Sequence, residues 1–174
     1  MKTSGHRGTA GPRAISVAVL AVLLVSLGAV AVTPAQAAPA AWSGRYTMVT
    51  YASQKGGTSP AARLPESDIS AVFTMTTSCA GGRCVATAIG PASSNPTVPN
   101  PLSYSWDGQQ WKIAYDWVWQ CPIGAAGQSQ WSPAQSFTYY TPQPDGSLRG
   151  MWSTDIASGA CRGNVVMPVA AFPA

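Results

Sequence analysis

Residues 102–119, which read LSYSWDGQQWKIAYDWVW, decide the fold class of this chain. Apolar and aromatic residues occupy every second position on both sides of Asp107-Gly108, which is typical of paired strands with one buried face. The Asp-Gly pair is a strong signal for a β-hairpin turn. A two-residue turn would pair Tyr104 with Trp111, whereas a four-residue turn would pair Trp106 with Trp111. Both registers keep the aromatic faces together, so the sequence predicts the hairpin and leaves its register open.

Similar patterns recur along the rest of the chain. Alternating apolar residues bounded by Gly, Pro or Asp-Gly turns predict strands at residues 46–52, 69–78, 84–89, 136–140, 148–153 and 164–172. Pro168 suggests that the last of them lies at a sheet edge. The prediction is an all-β domain of about seven to eight strands, either a small antiparallel β-barrel or a β-sandwich. Trp42-Ser43-Gly44-Arg45-Tyr46 resembles the first strand of lipocalin-like barrels, which favours the barrel.

The N-terminal region has the three parts of a secretory signal. Basic residues precede an apolar run over residues 14–32, and the small-residue cleavage site Ala35-Gln36-Ala37 follows it. We expect cleavage after Ala37, which leaves one domain of residues 38–174 that is secreted, extracellular or associated with the cell wall. The apolar run is nearly long enough to cross a bilayer, so an uncleaved anchor is the alternative. After cleavage we expect no membrane span.

Removal of the signal limits the chemistry of the mature chain. The only histidine, His6, leaves with residues 1–37. The mature chain then lacks the usual base of serine triads and the commonest metal ligand, and we expect no catalytic residue, metal or cofactor. Ten Lys and Arg minus the three in the signal leave seven, against six Asp and Glu. This balance argues against a nucleic-acid partner.

The four cysteines all follow the signal peptide, at Cys79, Cys84, Cys121 and Cys161. An even number in a secreted chain predicts two disulfides, for which three connectivities are possible. The first two bracket a Gly-Gly turn, which favours a Cys79–Cys84 bond across a hairpin and leaves Cys121–Cys161. A metal site is the alternative interpretation, but the mature chain has no histidine to complete it.

The most credible enzyme hypothesis is a carbohydrate hydrolase of the cell wall. Such enzymes need two carboxyl groups about 5–10 Å apart across a cleft, often among aromatic rings. Asp116 lies between Tyr115 and Trp117, and three other carboxylates could pair with it, namely Glu66, Asp68 and Asp155. A serine–lysine pair would have to use Lys55 or Lys112, and no motif supports it.

The aromatic content favours a binding function. All seven Trp and six Tyr follow the signal peptide. Most of them are expected in the core, while exposed rings could stack on cell-wall glycans or on a partner protein. A barrel interior could instead hold a small apolar ligand. We therefore expect a non-catalytic binding or interaction domain of the cell envelope or extracellular space with an unknown ligand or protein partner. The hydrolase is the alternative.

Several turn and core stretches carry a family resemblance. They are Gly44-Arg45-Tyr46-Thr47, Gly56-Gly57-Thr58, Gly82-Arg83-Cys84-Val85-Ala86-Thr87, Asn95-Pro96-Thr97-Val98-Pro99, Ser105-Trp106-Asp107-Gly108, Tyr115-Asp116-Trp117 and Pro142-Gln143-Pro144-Asp145-Gly146-Ser147-Leu148-Arg149-Gly150. Together they resemble a family of small exported mycobacterial proteins of uncharacterised function. The resemblance implies an exported location and transfers no catalytic residue.

Overall fold

The computed structural model of the protein describes residues 41–124 and 127–174. The predicted signal peptide and its cleavage residues Ala35 and Ala37 lie outside these ranges. Eight antiparallel strands pair in sequence order, and the last pairs with the first to close a barrel. The all-β prediction is confirmed in its barrel form. The strands are β1 (Gly44–Thr50), β2 (Ile69–Ala80), β3 (Arg83–Ile89), β4 (Leu102–Trp106), β5 (Trp111–Pro122), β6 (Ser129–Pro142), β7 (Leu148–Ile156) and β8 (Gly163–Pro173).

Closure of the sheet corrects one expectation. β8 is hydrogen-bonded to β7 on one side and to β1 on the other, so it is not an edge strand. Pro168 is tolerated because β1 pairs only with residues 169–173, and the proline lies just beyond that segment. Closure removes the free edge that the last strand of an open sheet would have.

The hairpin of β4 and β5 adopts the longer of its two possible turns. Trp106 pairs with Trp111 across the four residues Asp107–Gln110. The Asp107 carboxylate accepts hydrogen bonds from the backbone N–H groups of Gln109 (2.9 Å) and Gln110 (2.8 Å), and this fixes the turn.

The four cysteines form two disulfides, as predicted. Cys79–Cys84, here called the hairpin disulfide, joins directly opposite residues of β2 and β3. The two-residue turn between these strands is Gly81-Gly82, with φ of 57° and 76°, a conformation that glycine adopts without strain. Cys121–Cys161, here called the long-range disulfide, ties the end of β5 to the connection between β7 and β8.

One end of the barrel is sealed by aromatic rings. Trp42, just before β1, is 1% exposed, and its ring centroid lies 5.0–6.2 Å from those of four other aromatic residues, namely Tyr46, Tyr104, Trp111 and Tyr140. Because consecutive strands run in opposite directions, the β2–β3, β4–β5 and β6–β7 turns surround this same end. We call it the sealed end.

The opposite end is partly covered by the connection between β1 and β2, here called the strap (residues 51–68). It contains two short 3-10 helices, Ala52–Gln54 and Pro60–Arg63. Gly56 forms a β-bridge with Val166, and the Ser59 hydroxyl donates a 2.6 Å hydrogen bond to the carbonyl of Cys161. The strap is therefore fastened to β8 and to the long-range disulfide. Within the described ranges, no helix combines the length and the apolar character needed to cross a membrane.

Candidate functional site

A cavity of about 440 Å³ lies inside the barrel, away from the sealed end. It is lined by inward-facing residues of seven strands and by the connection between β3 and β4. None of the described residues that line it is charged. They are Met48, Thr50, Ile69, Ala71, Phe73, Pro91, Ala92, Ser93, Ser94, Val98, Pro99, Asn100, Leu102, Tyr104, Tyr115, Thr138, Tyr140, Trp152 and Val169.

Two tyrosines form the floor of the cavity. Tyr104 and Tyr140 line the cavity and also contact the Trp42 ring, so the aromatic seal lies directly behind them. Burial raises the pKa of both hydroxyl groups well above their usual value, and neighbouring tyrosines add to the effect. Both groups are therefore neutral over the physiological pH range. The Tyr115 hydroxyl accepts a long hydrogen bond of 3.4 Å from the Trp152 indole.

The connection between β3 and β4 covers the cavity. We call residues 90–101 the cover loop. β4 pairs with β5 only at Lys112 and Trp111, so most of β5 has no strand partner on that side. The amide side chain of Asn95 donates to the carbonyl of Val118 (2.7 Å), and the N–H of Val118 donates to the Thr97 hydroxyl (3.0 Å). Two side chains of the loop thus replace missing strand pairing and hold the loop against the barrel.

The carboxylates proposed for the hydrolase lie on the outside of the barrel. Asp116 on β5 and Asp155 on β7 are exposed and occupy one row, with Gln135 of β6 between them. Two strand spacings separate them by about 10 Å between Cα atoms. The Gln135 amide donates to Asp116, and the Asn164 amide donates to Asp155, each at 3.0 Å. The pair has hydrolase-like spacing but lies on a convex wall with a side chain between its members.

The other candidate carboxylates and lysines also have structural partners. Glu66 forms an ion pair with Lys55 within the strap, and Lys112 forms one with Asp107 at the β4–β5 turn. Asp68 accepts hydrogen bonds from the backbone N–H and the hydroxyl of Ser53, which lower the pKa of its carboxyl group. The geometry therefore gives the hydrolase alternative no support. Among the described residues, no cluster of three or more His, Cys, Asp or Glu could hold a metal ion.

The two most exposed aromatic rings among the described residues lie far apart on the outside of the barrel. Trp131 is 51% exposed, and Phe137 on the same strand is 41% exposed and lies beside Tyr139, with ring centroids 6.3 Å apart. Six residues of extended strand place Trp131 and Phe137 about 20 Å apart. Trp131 and Phe137 therefore do not form one stacking surface for a glycan.

Sequence reasoning named no ligand-binding residue. It placed the inward faces of β2, β4 and β5 correctly, but it did not predict the cavity that they enclose. A usable signal was the length of the connection between the third and fourth strands, because long ordered loops in compact domains are often functional.

The barrel domain is similar to a known family of protein domains. The family model described as the PknI serine/threonine-protein kinase sensor domain matches residues 38–173, which include every residue that lines the cavity. A search of curated proteins finds no match.

Two solved structures are similar to this chain. The monomer form of the M. tuberculosis PknI sensor domain has a TM-score of 0.55 and 19% identity, covering 79% of this chain and 90% of that chain. The dimer form has a TM-score of 0.48 and 22% identity, covering 62% and 73% respectively. The monomer form supports the barrel fold. Together with the family model, it supports the mycobacterial family resemblance, although the family is described as a sensor domain and not as uncharacterised.

Proposed function

We propose, from the fact that this chain belongs to the family of PknI serine/threonine-protein kinase sensor domains, that residues 38–174 form an exported, non-catalytic sensing domain. Its ligand is a small molecule that binds inside the barrel. The family match begins at Ala38, the residue that follows the predicted cleavage site, and this supports the boundary between signal and domain.

The main support for a ligand site inside the barrel is the difference between its two ends. Aromatic rings seal one end, whereas the other end keeps a cavity of about 440 Å³. Small-molecule sites are typically preformed, mostly apolar cavities of about 300–1,000 Å³ with a few polar groups, and this cavity fits that description.

The chemistry of the lining supports binding over catalysis. Within the part of the chain that the structure describes, the lining consists of apolar side chains, hydroxyls and one amide, with no nucleophile–base pair and no carboxylate. The carboxylates that could serve a hydrolase are bonded to structural partners on the outer surface.

The path of the chain leaves the cavity mouth free. Trp42 lies at the sealed end, and so does the end of β8, where the N–H of Ala174 donates to the carbonyl of Arg45 at 3.0 Å. A purification tag after Ala174 is therefore remote from the cover loop, which makes the ligand site accessible in the experiment below.

Recovery of a bound molecule tests the proposal. The protein is expressed with its own signal peptide, purified in secreted form and incubated with small-molecule extracts of the producing bacterium's medium and envelope. Retained compounds are then released by denaturation and identified by mass spectrometry. Ala71→Phe places a ring in the cavity, and Ala114→Phe places the same ring on the exposed outer face of β5.

We expect a compound that the wild type and Ala114→Phe retain and that Ala71→Phe does not. Retention by all three proteins, or by none, would overturn the assignment of the cavity as the ligand site.

The export proposal has a separate test. N-terminal sequencing of the secreted protein is expected to begin at Ala38. Recovery of the protein only in the membrane fraction, with residues 1–37 intact, would support the uncleaved anchor instead.

A further inference from the structure

We propose that the cavity ligand is an uncharged, mostly apolar molecule with a hydroxyl or carbonyl oxygen that reaches the tyrosines at the floor of the cavity. This inference rests on the proposed function, because it assumes that the cavity is the ligand site. It adds the chemical class of the ligand and its orientation.

The absence of charge among the lining residues excludes a charged ligand group inside the barrel. No Lys, Arg, Asp or Glu of the described residues contributes to the lining, and Lys55 of the strap is paired with Glu66. An ionised carboxylate or ammonium loses its hydration when it is buried, and without an opposite charge this cost exceeds what apolar contacts return. The tyrosines do not supply a charge, because their buried hydroxyls stay protonated.

The tyrosines at the floor offer the ligand a polar partner. Tyr104 and Tyr140 line the cavity in front of the sealed end, and each hydroxyl can both donate and accept a hydrogen bond. Toward the mouth the lining combines the apolar side chains of Ile69 and Val98 with small polar side chains of the cover loop, namely Ser93, Ser94 and Asn100. Ile69 is 55% exposed, so an apolar ligand tail would cover surface that is otherwise in contact with water.

The volume limits the size of the ligand. At roughly 30 Å³ for each water-sized group, 440 Å³ holds about 15 non-hydrogen atoms. A chain of about twelve carbons with one oxygen is therefore close to the largest ligand that the cavity itself holds.

Three probes that differ only in charge test the class of ligand. They are 1-dodecanol, dodecanoate and dodecylammonium, and their binding is measured by calorimetry at pH 7 below the concentration at which they aggregate. We expect the alcohol to bind at least tenfold more tightly than either ion. Among alcohols of eight to twelve carbons, each added methylene is expected to tighten binding about fourfold until the cavity is full.

Matched variants locate the binding site and the oxygen. Ala71→Phe fills the cavity, and Ala92→Trp blocks its mouth from the exposed cover loop, where a large side chain does not disturb the sheet. Both should lose alcohol binding, whereas Ala114→Phe on the outer face should retain it. Tyr140→Phe removes one floor hydroxyl and no ring, and it should weaken alcohol binding about fivefold.

The outcomes separate this inference from the proposed function. If an ion binds as tightly as the alcohol and Ala71→Phe abolishes that binding, the ligand class is wrong and the cavity remains the site. If alcohol binding survives both Ala71→Phe and Ala92→Trp, the cavity is not the site and the proposed function fails as well. If no probe binds the folded wild type, the ligand class is wrong, and the extraction experiment decides the proposed function by itself.

Discussion

Trp42 seals one end of the barrel, and its replacement by alanine is expected to destabilise the protein strongly. The side chain is 1% exposed and contacts four aromatic rings. A buried aromatic side chain removes about 150–250 Å² from water, which at about 25 cal/mol per Å² is worth about 4–6 kcal/mol. The indole N–H is buried and has no hydrogen-bond partner among the described residues, which costs the native state about 1–3 kcal/mol. The net loss in Trp42→Ala is therefore about 3 kcal/mol.

The same reasoning predicts a mild effect for Trp42→Phe. Phenylalanine keeps one ring within reach of Tyr104 and Tyr140 and removes the unpaired N–H. The smaller ring loses about 1.5 kcal/mol of stabilisation from apolar burial, and the removal of the buried N–H offsets this loss by about 1–3 kcal/mol. We expect the free energy of unfolding of this variant to lie within about 1 kcal/mol of the wild-type value.

Urea unfolding of the secreted protein with intact disulfides measures both variants. Far-UV circular dichroism is the signal, because Trp42 itself contributes to the fluorescence. The midpoint should fall in Trp42→Ala while the slope stays constant. A Trp42→Ala protein within about 1 kcal/mol of wild type, or a Trp42→Phe protein as unstable as Trp42→Ala, would refute this account of the sealed end.

Three further predictions follow from other parts of the fold. Replacing the long-range disulfide by two alanines should lower the free energy of unfolding in urea by about 4 kcal/mol, against about 2 kcal/mol for the hairpin disulfide. The reason is that the long-range disulfide closes a loop of 40 residues and the hairpin disulfide a loop of 5. Equal losses would contradict this loop-length argument. Asn95→Ala should cost only about 1 kcal/mol but should speed amide exchange at Val118 and ligand dissociation, and unchanged exchange would show that the cover loop is held by other contacts. Lys112 and two backbone N–H groups lower the pKa of Asp107 to about 2 from 3.8. The Asp107 carboxylate therefore contributes fully to the free energy of unfolding above about pH 4, and this contribution is lost as the pH falls toward 2. Asp107→Asn should remove this acid-dependent loss of stability, which is less than about 1 kcal/mol because the carboxylate is partly exposed. If the variant lost as much stability in acid as the wild type, Asp107 would not be its source.

Strand positions were predictable wherever alternation is visible over neighbouring residues. The inward rows of β2, β4 and β5 follow directly from their apolar alternation, because a period of two is a local property of the chain. β6 was predicted too short, at 136–140 instead of Ser129–Pro142. Its first half is polar and contains Pro133, which normally argues against a central strand. The proline is tolerated because it lies one residue beyond the last β6–β7 pair, where its carbonyl still accepts a 2.9 Å hydrogen bond from the N–H of Ala157 and only its own N–H is missing.

The sequence by itself determined the class of fold and the inward and outward faces, and it predicted the loss of histidine with the signal peptide, because each depends on residue types or on neighbours along the chain. Only the tertiary structure decided that the sheet closes, with β1 pairing to β8 at the far end of the domain. It also decided that Trp42 fills one end of the barrel and that a cavity remains near the other. A cavity is the space that side chains from seven strands and a loop leave unfilled. Its size depends on distances between residues far apart in sequence, which no local pattern records.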